Sequence, residues 1–136
     1  MVHATNGYAA HLLPFLAPSP GRDSIVPVRG QIIATRAAIP LKRLGIPSYG
    51  ANDGFEYWFP RPVKNASEDS PLIILGGGRE ATGPIFELGI ADDSILNPNT
   101  SKVLRGFLPS VYPDGWFPKN EEPEMEWVCE IVLCLM

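Results

Sequence analysis

The chain has 136 residues, of which 13 are Gly and 15 are Pro, and this share, about a fifth, excludes a helical bundle or a coiled coil. Its apolar fraction of 45% is that of a protein with a packed core, whereas residues 1–64 carry a charge of +4 and residues 65–136 a charge of −8. Because it has neither a dense Lys/Arg stripe nor a run of roughly 18 apolar residues, we expect no nucleic-acid or membrane partner.

The first quarter of the chain predicts two structural units with a connector between them. Residues 1–5 have the pattern of a short strand, and residues 8–13 form one or two helical turns before a proline ends them. Residues 14–24 are rich in Pro, Gly and Ser, which is typical of a boundary. The β-branched residues 25–36 predict a strand, with Gly30 at a bulge or a point of close approach.

The middle of the chain alternates loops with apolar strands. Residues 37–52 contain two Pro and two Gly and predict a long loop. The aromatic residues 55–59 and the apolar residues 71–75 predict two strands joined by a short connection, as in a hairpin or meander. Three glycines, residues 76–78, follow the second of these strands.

The last third contains the main helix pattern. Apolar residues recur at helical spacing between residues 97 and 111 until prolines intervene, which predicts one amphipathic helix of about ten residues. Residues 124–127 alternate acidic and apolar side chains, as a half-exposed strand does. The whole pattern predicts an α+β fold, a mixed and mostly antiparallel β-sheet with one main helix.

The three glycines match a dinucleotide-binding fingerprint only as a string. Gly76, Gly78 and Ala81 fit G-x-G-x-x-G/A directly after a strand. The fingerprint binds pyrophosphate because the glycine turn opens a helix whose N-terminus faces the phosphates. Gly83 and Pro84 would end any such helix within a turn. We therefore predict no pyrophosphate site here, and a glycine-rich strand end that lets backbone lie close to a neighbouring sheet or a flat ligand.

Other residue types that carry chemistry are not spaced as a catalytic or metal site requires. His3 and His11 are eight residues apart, not the four that place two ligands on one helix face. Cys129 and Cys134 are too few for a disulfide scaffold or a zinc site and are interpreted as unpaired thiols. The sequence therefore predicts no catalytic residue and no metal ligand.

Two groups of side chains have alternative interpretations. Tyr57 and Trp58 either stack on a ligand or belong to the core or sheet surface, which is the commoner role of strand aromatics. The acidic side chains near the C-terminus are interpreted as a solvated face. They are Glu121, Glu122, Glu124 and Glu126.

Five segments, in their order and spacing, carry a resemblance to a known enzyme family. Residues 2–9 (VHATNGYA) are similar to a strand and turn that closes its cofactor-binding core, and residues 26–33 (VPVRGQII) to its Arg-Gly-Gln strand. Residues 57–62 (YWFPRP) and 72–79 (LIILGGGR) resemble sheet strands that face the cofactor, and residues 124–127 (EMEW) a strand that returns toward it. The family is the D-amino-acid oxidase family of FAD-dependent oxidoreductases, in its fungal form.

The resemblance implies a division of the chain. Residues 1–14 correspond to a remnant of the FAD-binding domain, residues 15–24 to a linker, and residues 25–127 to a substrate-binding α+β domain. Residues 128–136 do not resemble the family's glycine-rich continuation and are expected to be an atypical tail. Because the genuine fingerprint and that continuation are both missing from the sequence, the chain is expected to be a fragment that covers mainly the substrate-binding domain.

The resemblance also implies a function and site residues. The complete enzyme oxidises an amine or amino acid C–N bond by hydride transfer to the flavin of FAD. The residues implied to approach FAD are Ala4, Thr5, Asn6 and Gly7, and those implied near the flavin or substrate are Tyr57, Arg61, Gly77 and Arg79. Each arginine either binds a substrate carboxylate or forms an ordinary ion pair.

The implied partners are a small amine or amino acid substrate and the remainder of the enzyme. Binding of FAD by this chain is expected to be weak or absent, because the pyrophosphate site is missing. The competing hypothesis is a catalytically inactive fragment, or an interaction module, from a truncated gene model. The start of the chain has no basic region before its apolar part, so we expect no signal peptide and a cytoplasmic location, with the peroxisome as the alternative.

Overall fold

One antiparallel sheet organises the protein. A computed structural model describes residues 5–17, 24–119 and 121–135. The strands are β1 (Ser24–Arg36), β2 (Tyr49–Ala51), β3 (Glu56–Pro60), β4 (Leu72–Gly76) and β5 (Met125–Leu135). Their order in the sheet is β2-β3-β4-β1-β5, and each neighbouring pair is antiparallel. This confirms the predicted α+β fold with a mostly antiparallel sheet.

Three α-helices and several 3-10 turns complete the described part of the chain. The helices are α1 (Ala9–Leu12), α2 (Leu41–Leu44) and α3 (Pro98–Val111). The 3-10 turns span Asn6–Tyr8, Pro14–Leu16, Asn52–Gly54 and Arg79–Thr82. Among these residues, no helix has the length and apolar character that crossing a bilayer requires.

The longest strands, β1 and β5, form the spine of the sheet. β1 confirms the strand predicted over residues 25–36, and its pairing with β5 passes through Gly30 opposite Cys129 without a bulge. β5 extends well beyond residues 124–127, because Val128 to Leu135 continue the same ladder as far as Ser24. The residues expected to form an atypical tail are thus the second half of a strand. The strand predicted at residues 1–5 falls almost wholly outside the described residues.

Helix α3 covers one face of the sheet. Asn97 caps it, since its side chain accepts a hydrogen bond from the Asn99 backbone N–H at 3.0 Å, and Pro98 occupies the first turn. The helix has 14 residues rather than the ten predicted, because it continues past Pro109 for two residues. Its buried face packs on the sheet in a single apolar core: Ile33, Ala37, Ile39, Leu44, Trp58, Ile73, Leu75, Leu104, Leu108 and Phe117.

The loop predicted over residues 37–52 is only partly a loop. It contains helix α2 and strand β2, and both are short. Helix α2 depends on distant partners: the Leu41 backbone N–H donates to the Asp69 carbonyl at 3.1 Å, and that of Lys42 to the Ala66 carbonyl at 2.7 Å. The local pattern of Pro and Gly carries no sign of these tertiary hydrogen bonds, so the loop prediction was wrong there.

Candidate functional site

The face of the sheet opposite α3 is the candidate functional site. Residues that are directly paired in an antiparallel sheet point to the same face. One row across the sheet therefore consists of Tyr57, Gly76, Ile32 and Trp127, which are successive Cα partners. The neighbouring row is Phe59, Ile74, Ala34 and Met125. We call the face that carries these two rows the open face.

The open face is apolar and accessible to solvent. Tyr57 is 44% exposed, Phe59 38% and Met125 60%, while Ile32, Ile74 and Trp127 are half-buried. By contrast, Trp58, Leu75 and Ile33 alternate with these residues along the same strands and are buried against α3. Ala34 and Gly76, in the middle of the rows, are buried, so the exposed apolar area is concentrated at Tyr57 and Phe59 on β3 and at Met125 on β5.

Glycines make part of the open face flat. A Cβ placed on Gly76 would lie closer than 3.0 Å to the ring of Tyr57, so the Tyr57 ring lies directly over the Gly76 backbone. Farther along the face, a Cβ on Gly30 would lie 3.6 Å from the Cys129 Sγ. The Gly76 backbone is therefore covered by the Tyr57 ring, and backbone is open only near Gly30 and Cys129, beside the half-buried Ile32 and Trp127.

The glycine turn after β4 has a tightly constrained backbone. Gly77 has φ +139°, and a Cβ there would overlap the Phe55 carbonyl oxygen. Gly78 is left-handed at φ +70° and is followed by the 3-10 turn Arg79–Thr82, not by an α-helix. A dinucleotide fingerprint needs that helix, so the geometry agrees with the prediction that this turn is not a pyrophosphate site.

A buried carboxyl group lies beside the same turn. Glu56 is 0% exposed, and its Oε2 accepts a hydrogen bond from the Asn52 Nδ2 at 2.6 Å, while its Oε1 has no partner among the described residues. Burial, together with the neighbouring Glu80 carboxyl, raises the pKa of Glu56. Sequence reasoning missed this residue, because a glutamate in an aromatic strand does not reveal which face it occupies.

Three of the four residues implied for the substrate meet at one corner of the open face. Tyr57 lies on it, Gly77 forms the turn beside it, and the Arg79 guanidinium lies 6.0 Å from the Phe55 ring centroid. Burial, with a smaller contribution from Cys129, raises the pKa of Tyr57, and the positive charge of Arg79 opposes this. Arg61 follows the end of β3 and is exposed, away from this corner.

The residues implied for the cofactor lie elsewhere. Ala4 is outside the described residues, and the Thr5 carbonyl accepts a hydrogen bond from the Tyr8 backbone N–H. The Asn6 Nδ2 donates to the Glu130 carbonyl at 2.7 Å, and Gly7 packs on the Glu130 side chain. Glu130 alternates with Cys129 along β5, so its side chain points away from the open face. The structure therefore does not bring these residues together with Tyr57 and Arg79.

The predicted solvated acidic face needs one correction. Glu122 and Glu124 are exposed and pair with Arg105 and Arg36, but the Glu126 side chain is only 8% exposed. Glu126 accepts hydrogen bonds from the Gln31 Nε2 at 2.7 Å and the Arg105 Nη2 at 2.8 Å. Burial alone would raise its pKa, but hydrogen bonds from Ser101, Arg105 and Gln31 hold the pKa of Glu126 below its usual value.

The remaining candidates for chemistry are isolated. The Cys129 thiol is unpaired, and burial raises its pKa, which lowers its reactivity. His11 is exposed on α1, whereas His3 lies outside the described residues. Within the described ranges, no three His, Cys, Asp or Glu side chains group as a metal site would require.

A groove lies on the other side of the sheet from the open face. It has a volume of about 820 Å³ and runs beside α3, past Ser101, Lys102, Arg105 and Gly106. Arg105 is held by Glu122 and Glu126, which occupies its guanidinium. This groove is the main alternative location for a small ligand.

Comparison with known proteins does not place the chain in a family. No family model matches the sequence, and neither a curated protein nor a solved structure matches it.

Proposed function

We propose that the chain is the substrate-domain part of an FAD-dependent oxidoreductase of the D-amino-acid oxidase family, which oxidises an amine or amino acid C–N bond. The observation that carries this proposal is the open face, where Tyr57, Gly76, Ile32 and Trp127 form an apolar row across the sheet. A row of this kind suits the planar isoalloxazine ring of a flavin. The predicted resemblance assigns the strands of Tyr57 and Gly76 to the same role.

The residues present fit only one part of FAD. The ring system suits the apolar side chains of Tyr57, Ile32 and Trp127, whereas the turn at Gly77 and Gly78 lacks the helix that a pyrophosphate needs. Asn6 and Gly7 are engaged with Glu130 on the other face. The chain is therefore expected to contact the ring and to leave the dinucleotide part of FAD to other residues.

The roles of the chain's own residues follow from their chemistry. A bound flavin accepts a hydride equivalent from the carbon that bears the amine. Tyr57 is protonated at neutral pH, and burial raises its pKa further, so its hydroxyl is available as a hydrogen-bond donor to a substrate carboxylate. The Arg79 guanidinium has no carboxylate partner among the described residues and can hold the same group in a bidentate manner. The apolar side chains around Ile32 offer a nonpolar surface beside the reacting carbon.

The proposal is tested by comparing the affinity of the chain for riboflavin and for FAD, measured by flavin fluorescence. Because only the ring is held, we expect weak binding, with the two dissociation constants agreeing within about threefold, a difference of under 1 kcal/mol. Ile32→Glu places a carboxylate on the open face and is expected to weaken binding at least about tenfold. Ile46→Glu is the matched control, since Ile46 is 78% exposed and off the open face.

Two results would contradict the proposal. FAD bound stoichiometrically and far more tightly than riboflavin would show a pyrophosphate site that the geometry lacks. No binding of either flavin, or binding that Ile32→Glu leaves unchanged, would favour the second candidate function, an inactive fragment or interaction module. That second candidate is supported by the same exposed apolar face, which in an interaction module would cover a protein surface. On the proposed function, the compartment is the cytoplasm or the peroxisome.

A further inference from the structure

Glu130, in the middle of β5, is a buried carboxyl group whose side chain has no partner among the described residues. The residue is 6% exposed, and neither of its side-chain oxygens has a hydrogen-bond partner in the described part of the chain. Arg29 is its Cα partner in the sheet. The Arg29 guanidinium instead binds the Glu87 carboxylate and the carbonyls of Asp92 and Ile95. An ionised carboxylate buried in this way has a large desolvation penalty with nothing to offset it.

The N-terminal segment, residues 5–17, is what packs on this carboxyl group. A Cβ on Gly7 would lie closer than 3.0 Å to Glu130 Cγ, Cδ and Oε1, so the Gly7 backbone lies directly against the carboxyl group. The Asn6 Nδ2 donates to the Glu130 carbonyl at 2.7 Å, which holds the segment at this position of β5. Docking of the segment therefore removes the Glu130 side chain from water.

The ionisable groups around Glu130 disfavour its charge as well. Asp93 adds its negative charge to the effect of burial, and together they raise the pKa of Glu130. Burial, and then the negative charges of Asp93 and Glu130, raise the pKa of Tyr8 in the N-terminal segment. His11 on α1 is exposed. Arg29 is the nearest cation along the sheet, and its guanidinium is already occupied by Glu87.

We propose that Glu130 is a proton-controlled latch: in its neutral form it allows the N-terminal segment to pack over it on β5, and on ionisation its desolvation cost releases the segment. The latch depends on the contacts of Gly7 and Asn6 with Glu130 and not on the proposed flavin chemistry.

The direction of the pH dependence follows from linkage. The docked state binds the proton of Glu130 more tightly than the released state, in which the side chain is in water with a pKa of about 4.3. Docking is therefore strongest below that value and weakens as the pH rises from it to the raised pKa of the docked state. Across this window the docking equilibrium constant falls by up to about tenfold per pH unit.

Hydrogen exchange of the segment at acidic and neutral pH tests the latch. The reporters are the backbone amides of Tyr8 and Leu13, which donate to the Thr5 and Ala9 carbonyls. Wild type and Glu130→Gln are compared at the same pH, so that the intrinsic exchange rate cancels. We expect equal protection at about pH 4, and wild-type exchange at least about tenfold faster than in Glu130→Gln at about pH 8. Glu121→Gln, which changes an exposed carboxylate, is expected to follow the wild type.

A second variant keeps the test independent of how Glu130→Gln folds. Gly7→Ala places a methyl group against the Glu130 carboxyl group and requires that side chain or the segment to shift, so protection of the segment is expected to fall at about pH 4 while the amide of Leu75 in the core stays protected. Hydrogen exchange of the segment amides in the wild type is then expected to match that in Gly7→Ala at neutral pH and to be slower than in Gly7→Ala at about pH 4. A wild-type to Glu130→Gln ratio that does not change with pH, or segment protection in Gly7→Ala equal to that of the wild type at about pH 4, would overturn the latch.

Discussion

Replacing Trp58 by Ala is expected to lower the free energy of unfolding by about 3–5 kcal/mol. Trp58 is 6% exposed, it stacks on Tyr49 at 5.3 Å, and it meets Phe107 edge-on at 5.2 Å. Its Nε1 also donates to the Tyr112 hydroxyl at 3.0 Å. Truncation removes a large buried area and leaves a cavity where the sheet, α3 and the segment after it meet.

The adjacent residue provides the control for Trp58. Tyr57→Ala removes a side chain of similar size from the open face, where it is 44% exposed, and is expected to cost about 1 kcal/mol or less. Urea denaturation of the two variants and the wild type measures both losses in the free energy of unfolding. Equal losses for Trp58→Ala and Tyr57→Ala would mean that the two faces of the sheet are equally buried, contrary to the assignment of an open face.

Gly77→Ala is expected to lower the free energy of unfolding by about 2–4 kcal/mol, because it combines backbone strain with overlap. Gly77 has φ +139°, and its added Cβ would overlap the Phe55 carbonyl oxygen and lie closer than 3.0 Å to the Glu56 Cα. Both neighbours are backbone atoms of the β3 region, so neither can rotate away. The turn between β4 and Arg79 is expected to shift as a result.

Substitutions at two other glycines separate backbone strain from steric overlap in the destabilisation expected for Gly77→Ala. Gly83 has φ +108° with nothing within 4 Å of an added Cβ, so Gly83→Ala measures strain alone, about 1 kcal/mol. Gly106 lies within α3 with open space around it, so Gly106→Ala is expected to stabilise the protein by about 0.5–1 kcal/mol. If thermal or urea denaturation shows that Gly77→Ala lowers the free energy of unfolding no more than Gly83→Ala does, the close approach of Gly77 to the Phe55 carbonyl is contradicted.

The elements that sequence reasoning predicted are those whose signal is local. The β-branched run of β1, the aromatic β3, the apolar β4 and the helical spacing of α3 each carry their own pattern, and each was found. Helix α2 was missed because its backbone donors are satisfied by carbonyls more than twenty residues away. The second half of β5 was missed for a related reason, since an apolar run reveals a strand only once β1 lies beside it.

The candidate site was predictable only in part. Tyr57 lies on β3 and Gly77 and Arg79 follow β4, so the predicted pairing of these two strands brings them to one corner, whereas Ile32 and Trp127 join them only through the register of β4, β1 and β5. A one-residue slip in that register would turn Trp127 to the other face and bring Glu126 to this one. Single-strand patterns do not fix register, which is why the row across the open face was not visible in the sequence.

The central claim is that the open face binds a planar ring, and the most direct test is to locate a flavin on the ¹⁵N-labelled chain by NMR. On titration with FMN, we expect the amide signals of Gly30, Gly76 and Ile32 to shift together with the Trp127 indole. The signal of Gly106, in the groove beside α3, is expected to stay fixed. Shifts confined to Gly106 and its neighbours Lys102 and Arg105, or no shifts at all, would contradict the claim.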